Sequence, residues 1–325
     1  MTTTMRWALA LLLLGAVCGQ TGVAVAQTYP TRPIQLIVPF PPGGGADVVA
    51  RIVAPRLSQA LGQSMVVDNR PGAGATIGAN VVAKAAPDGY TLLYVTPGVQ
   101  LTNPFLMSKL PYDAANDFTP IIPLVVVPNV LVVHPSVPVK TVKDLIELAK
   151  AKPGTLNYSS SGIGASSHLS GELFKQMTGT QIVHVAYKGS GPALQDLLGG
   201  TIQLAFDSVN VVLPHIKSGA LRALAVTTPE RSPALPDLPT VGDTLPGFDA
   251  AAFNYISGPR GTPRPVVERL NREFNAALKV PEVRERLQGL GVMLLGGTPE
   301  QLDARIKSET AKWKKVIEVS GARAE

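Results

Sequence analysis

Cysteine is almost absent from this 325-residue chain: Cys18 is the only one, and it lies in an apolar N-terminal segment. Removal of that segment leaves none, which excludes a disulfide framework and a thiol catalyst. Beyond the first 26 residues no run is long and apolar enough to span a bilayer, which takes about 20 residues. No basic stripe with interleaved aromatics is present, so nucleic acid is not an expected partner. There is no Gly-x-Ser-x-Gly elbow in the Ser-rich loops, and hence no sign of a hydrolase nucleophile. His134, His168, His184 and His215 are too far apart for a compact metal motif. No acid/base pair stands out. The chain therefore reads as neither an enzyme nor a metal or cofactor protein.

The N-terminus is informative. Met1–Ala26 carries one positive charge, Arg6, then the apolar run Trp7–Leu14, and closes with Ala24-Val25-Ala26. That is the layout of a cleaved secretory signal, with cleavage expected after Ala26 and a periplasmic destination. The alternatives are a retained anchor or lipidation at Cys18; Val17 stands where a lipid acceptor wants a small residue. The formal net charge is +6, and loss of Arg6 leaves +5, a mild pull on an anionic solute. The densest basic cluster, Lys312, Lys314 and Lys315, falls on an amphipathic helix and reads as a solvated face. With 45% hydrophobic and 16% charged residues, the rest is a packed globular chain.

Along it, β-like runs alternate with helical patterns, the mark of an α/β fold with mainly parallel sheets. Strands are expected at Ile34–Val38, Met65–Val67 and Tyr90–Val95, with helices at Asp47–Leu61 and Ile77–Ala86. Leu124–Val133, broken by Pro128, reads as a strand crossing between two lobes, and Ala251–Ser257 as the return. Between them strands and helices alternate to Val226, followed by a Pro-rich stretch, Pro229–Pro246, too broken for regular structure. Thr141 and Thr298 each begin a capping box. The lobes expected are 27–125 with 252–325, and 126–251, closing by hinge motion around a ligand.

Two loops carry the functional reading. In Val38–Asp47 a strand runs into a helix through Gly43, Gly44 and Gly45, with Asp47 placed as N-cap. Bare glycine amides at a helix N-terminus favour an anion. No Lys-Ser/Thr pair follows and Gly-x-Gly-x-x-Gly is missing, so a carboxylate fits better than a nucleotide. The second loop, Tyr158–His168, offers Ser hydroxyls and glycine amides between a strand and a helix of the other lobe. Each could equally be a turn that binds nothing.

A series of motifs supplies more. Tyr29-Pro-Thr-Arg-Pro33, Pro39-Phe40 with Gly43-Gly44 and Asp47, Asn69-Arg-Pro-Gly-Ala-Gly74, Ala86-Pro-Asp-Gly-Tyr90, Leu110-Pro-Tyr-Asp113, Tyr187-Lys-Gly189, Leu197-Leu-Gly-Gly200, Arg222-Ala-Leu-Ala-Val226 and Gly261-Thr-Pro263 follow one another along the chain. In this order they resemble the Bug/TctC family, the substrate-binding components of tripartite tricarboxylate transporters. The resemblance implies a two-lobed type II periplasmic-binding-protein fold with the ligand cleft between lobes, and a monomer that delivers a small carboxylate to a permease of that type. Di- and tricarboxylates, acidic amino acids and aromatic acids are the ligand classes it implies. It assigns ligand contacts to Phe40, Gly43, Gly44 and Asp47, then Thr96 and Gly98, and in the facing lobe Ser159, Ser161, Gly164, His168, Tyr187, Lys188 and Asp207. Ala46, Ala75 and Ala186 depart from the family pattern, where Thr or Ser, Gly and Pro are usual.

Three of these residues have two readings each. Asp207 meets a ligand ammonium or caps the next helix. Lys188 lines the cleft with Tyr187 or points to solvent. His168 donates to ligand or is structural. At the level of function, a sensor presenting its closed form to a membrane signalling partner is the alternative to a transport receptor.

Overall fold

The structure is a computed structural model and describes residues 29–324. The expected signal segment, with Cys18 and the cleavage point, lies outside the described residues. Among the described residues no helix is long and apolar enough to cross a membrane.

The chain opens with β1 (Ile34–Val38), α1 (Gly45–Leu61), β2 (Met65–Asn69), α2 (Thr76–Ala83) and β3 (Thr91–Val95). A π-turn at Gly98–Thr102 then runs into α3 (Asn103–Leu106), followed by β4 (Phe118–Val127). Next come β5 (Asn129–Val133), α4 (Val142–Ala151), β6 (Asn157–Ser160), α5 (Ser166–Thr178), β7 (Val183–Ala186), α6 (Ser190–Leu198), β8 (Leu204–Ser208), α7 (Val209–Lys217) and β9 (Arg222–Val226). The last group is β10 (Ala252–Pro259), α8 (Arg264–Lys279), α9 (Pro281–Gly289), β11 (Met293–Leu294) and α10 (Pro299–Ser320).

Local chemistry explains the boundaries. The stripe Val49, Ile52, Val53, Leu57 and Leu61 is buried along α1, and Gly62 ends the helix at φ 69°. Thr141 accepts the Asp144 amide at 3.1 Å while Asp144 accepts the Thr141 amide at 3.0 Å, closing the expected capping box of α4. Thr298 and Gln301 do the same for α10. The Pro-rich stretch holds a capping box that its composition hides, Thr240 with Asp243, around a 3-10 turn at Val241–Asp243.

The strands form two sheets, ordered β11-β4-β10-β3-β1-β2 and β7-β6-β8-β5-β9. The expected α/β architecture with two sheets is present. Within it β1 is parallel to β2 and β3, and β6 to β7 and β8. The sheets are nonetheless mixed rather than mainly parallel, because β10 runs antiparallel to β3 and β4, and β5 antiparallel to β8 and β9. Strands β5 and β10 each arrive from the other sheet with no crossover helix to turn them parallel.

The run expected to cross at Leu124–Val133 is two strands in different sheets, parted at Pro128. The return crossing lies between β9 and β10, and the two crossings are tied together. Thr227 N–H donates to the Asn129 carbonyl at 2.9 Å, the Asn129 amide donates to Thr227 Oγ1 at 3.1 Å, and Ala250 N–H donates to the Thr227 carbonyl at 3.0 Å. Asn129 is fully buried and gives its side-chain amide to Ser170 Oγ at 3.0 Å.

One apolar core runs through both sheets, from Leu93, Phe253 and Tyr255 in the first to Leu131, Tyr158 and Phe206 in the second. Helix α10 contributes Leu302, Trp313, Val316 and Ile317 to it and packs on both β4 and α5. Helix α5 approaches β6 through Gly171, where a Cβ would come within 2.3 Å of the Tyr158 ring.

Candidate functional site

The parallel strands β1, β2 and β3 release their chains at their common carboxyl end, where ligands collect in such folds. After β1 the chain turns through Gly43, whose φ of +82° lies in the region that favours glycine. The N-cap of α1 is Gly44, not Asp47 as expected. Gly44 is extended (φ −72°, ψ 164°), and its carbonyl accepts the Val48 amide at 2.9 Å. The helix therefore starts at Gly45, two residues ahead of the expected position, and Asp47 falls inside its first turn.

Asp47 is 2% exposed. Its carboxylate accepts the Gly43 amide at 2.9 Å, Arg51 Nε at 2.9 Å and Asn69 Nδ2 at 2.9 Å. Burial raises its pKa, but the hydrogen bonds from Arg51, Gly43 and Asn69 outweigh that and hold it below the ordinary value. Gly43 thus turns its N–H inward, to Asp47. The donors remaining in this loop belong to the first turn of α1, Gly44 to Ala46, which has no intrahelical acceptor. Phe40 packs its ring on the core and gives its carbonyl to Asn69 Nδ2 at 3.0 Å.

Beyond β3, Thr96 is half-buried and its carbonyl accepts the Val99 amide at 3.1 Å. Gly98 opens the π-turn that leads to Asn103. Asn103 donates to the Gly74 carbonyl at 2.8 Å and so binds the loops after β2 and β3 together. Ala75, in the Gly74 loop, holds φ +76°, a left-handed conformation that glycine adopts more readily than alanine.

In the second sheet the loop after β6 is supported from below. Ser159 is 2% exposed, within the strand. Ser161 N–H donates to Ser167 Oγ at 3.0 Å, and the two hydroxyls are 3.0 Å apart. Buried Gly164 gives its N–H to Nδ1 of buried His168 at 3.1 Å. Tyr187 donates its hydroxyl to Asp196 at 2.6 Å, and burial together with Asp196 pushes the phenol up to about 12. Lys188 is exposed. Asp207 is 5% exposed and accepts the Ser208 amide at 2.7 Å and the Ser190 hydroxyl at 3.0 Å. The N-cap of α7 is Ser208, so Asp207 acts one residue earlier than a cap and ties the starts of α6 and α7 together. Burial raises its pKa, with Ser208 and Ser190 opposing.

The two loop sets meet. Thr102 Oγ1 lies 3.4 Å from the Gly164 carbonyl, and a Cβ on Gly164 would come within 2.5 Å of Leu106. At the other end a Cβ on Gly45 would lie 3.6 Å from Nδ2 of Asn210, in the first turn of α7. The amino ends of α1 and α7 thus approach one another. Two positive helix ends repel unless an anion lies between them. The Oδ1 of Asn210 is buried and has no partner among the described residues.

Of the residues expected at the site, Gly43, Gly44, Gly164 and Asp207 stand at these meeting loops. Ser159 and His168 lie beneath their loop, and the Tyr187 hydroxyl is engaged by Asp196. Thr102 and Asn210 were not expected. A polar residue in the first turn of a helix that follows a strand is the signal that could have drawn Asn210 out. A surface groove of about 340 Å³, lined by Leu278, Lys279, Arg284 and Gln288 among others, shares no residue with these loops.

Known proteins share this fold. The model of the tripartite tricarboxylate transporter family receptor, TctC, matches residues 49–322. The chain is similar to R. palustris Rpa4515, solved with adipate, at 42% identity and TM-score 0.82, over 91% of this chain and 100% of that one. It is similar to the periplasmic binding protein BugD at 36% identity and TM-score 0.78, over 91% and 100% of the two chains. MatC from Rhodopseudomonas palustris, with bound malate, is 33% identical with TM-score 0.77, over 89% and 100%. This is a family of periplasmic solute-binding receptors, not of enzymes. With the family model spanning most of its length, the chain belongs to the TctC receptor family of tripartite tricarboxylate transporters.

Proposed function

We propose that this receptor captures a small dicarboxylate between its two lobes in the periplasm and passes it to a permease of the tripartite tricarboxylate type. The observation that carries the reading is the approach of two helix amino ends, α1 and α7, where the first-turn amides from Gly44 to Ala46 have no intrahelical acceptor. Arg51, beside the first loop, is already engaged by Asp47 and Asn69. Neighbours solved with adipate and with malate favour the same ligand class.

In this reading the lobes are 27–125 with 252–325, and 126–251, with the first crossing at Pro128. The two sheets divide the chain in the same way, which supports it. Closure about the two crossings brings the loops together on ligand. Phe40, Gly43, Gly44, Asp47, Thr96 and Gly98 form one wall, and Ser159, Ser161, Gly164, His168, Tyr187, Lys188 and Asp207 the other. Some act by holding the loop rather than by touching the solute. The chain acts as a monomer after loss of Met1–Ala26.

The test is a melting-temperature screen of the mature protein against mono-, di- and tricarboxylates, acidic amino acids, aromatic acids, sugars and cations. A ligand bound only by the native state raises the midpoint. Dicarboxylates such as adipate or malate are expected to raise it. Shifts from sugars or cations alone would overturn the reading.

A further inference from the structure

Two histidines lie stacked beneath the Ser/Gly loop of the second lobe. The rings of His168, on α5, and His184, on β7, are 4.1 Å apart at an interplanar angle of 26°. His184 also stacks on Tyr158 of β6 at 4.8 Å. Each ring holds one side of the loop above. His168 Nδ1 accepts the Gly164 amide at 3.1 Å, and His184 Nε2 is 2.7 Å from Ser160 Oγ. Ser160 Oγ in turn lies 3.3 Å from both the amide and the carbonyl of Gly162. Gly164 then offers its carbonyl across the cleft to Thr102 at 3.4 Å. The loop contributes no apolar anchor of its own: Ile163, at its tip, is 46% exposed.

We propose that His168 is a positioning residue for the ligand cleft: its neutral ring, stacked on His184, fixes the direction of the Gly164 loop, and protonation of the pair releases that loop. The inference rests on the reading of this cleft as the ligand site. Acceptance of the Gly164 amide puts the ring proton on Nε2, which faces Glu172 Oε1 at 3.9 Å. An added proton would turn Nδ1 into a donor aimed at another donor, and would set two cations face to face.

The charged groups acting on the pair are Glu172 and Lys175, both on α5 and joined to each other at 2.8 Å. Tyr158 faces it from β6 and gives its hydroxyl to Glu172 at 2.6 Å. Strand β8 and helix α10, which also pack on α5, add no ion pair to either ring among the described residues. Burial keeps both rings neutral, lowering each to about 4. Glu172 opposes this at both rings and Lys175 adds to it, while the His168 charge adds to it at His184. Acid near pH 4 reaches this pair.

The experiment compares the wild type with His168→Asn and His168→Leu, because a carboxamide oxygen can take the place of Nδ1 and a leucine cannot. Two quantities are followed between pH 7 and pH 4: calorimetric affinity for adipate and malate, and hydrogen exchange of the Gly164 amide, which needs no ligand. His168→Leu is expected to lose about tenfold in affinity at pH 7, the size of one hydrogen bond, and to lose Gly164 protection. His168→Asn is expected to stay within about threefold and to retain protection at acid pH where the wild type loses it. The difference between wild type and His168→Asn removes the ligand's own carboxyl titration from the profile. Equal Gly164 protection in all three proteins, or the same acid loss in His168→Asn as in the wild type, overturns the proposal. If His168→Leu does not fold, the Asn variant against the wild type decides alone. A wild type that binds neither acid counts against the carboxylate reading, and the exchange data still decide the role of His168.

Discussion

Gly43 and Gly44 are neighbours with different duties, and substitution separates them. Gly43 holds φ +82°, so any side chain there strains the backbone. Gly44 is extended, and a Cβ would meet nothing nearer than the Pro41 carbonyl at 3.5 Å. Gly44→Val is therefore expected to fold, with a loss of about 1 kcal/mol at most from the poorer N-cap, yet to lose the ligand-induced rise in melting temperature. Asp47→Asn should cost about 1–3 kcal/mol in a urea titration, because a buried acceptor of three hydrogen bonds loses its charge. Since its pKa is lowered in the fold, the stability Asp47 provides is present above the usual carboxylate range and is lost as pH falls through the folded value. The buried histidines act at higher pH. Their pKa values fall from 6.5 to about 4, so their neutral-form stability is complete above 6.5 and is lost as pH drops toward 4. Urea midpoints should decline over that window, and His184→Gln should make the decline shallower. The position of the Gly-rich loop between a strand and a helix was legible, because an apolar run precedes it and an apolar stripe follows it. It could not place Asp47, since a cap and a buried carboxylate four residues before Arg51 look alike until the helix start is fixed.

Elements defined by periodicity or caps were legible. The stripe of α1 and the capping boxes at Thr141 and Thr298 need only residues a few positions apart. What could not be read was strand direction. Val, Ile and Leu runs look the same in parallel and antiparallel neighbours, so the antiparallel pairing of β5 and β10 left no mark. The two-residue strand β11 is too short to carry a pattern at all. Close approach between elements is equally invisible in sequence. Gly171 sits in α5 like a weak helix former, yet it is the point where the helix meets the Tyr158 ring. Gly171→Ala would gain helix propensity in a peptide. In this protein it is expected to lose about 1–3 kcal/mol through overpacking, measured by the midpoint of thermal or urea unfolding.

For the whole molecule the expected motion is closure of the lobes. Gly164 is the contact to alter, because a methyl there meets Leu106 of the opposite lobe at 2.5 Å and the residue already holds φ +80°. Gly164→Ala is expected to keep the lobes apart, so that small-angle scattering shows no compaction when dicarboxylate is added. Equal compaction in wild type and variant would remove this contact from the closure mechanism. The passage of the chain between two sheets was legible in the two β-rich runs at Leu124–Val133 and Ala251–Ser257, each of which lies where the chain changes sheet. The central place of β10 in the first sheet has its own consequence. It stands between β3 and β4 but arrives after all of β5 to β9. Without this distant strand the first sheet is left as two pieces, β11-β4 and β3-β1-β2. The second sheet draws all five of its strands from one continuous stretch and is free to form first. Topology thus favours assembly of the second sheet before the first, an order expected to appear in refolding as earlier exchange protection of β5 to β9 than of β3, β4 and β10.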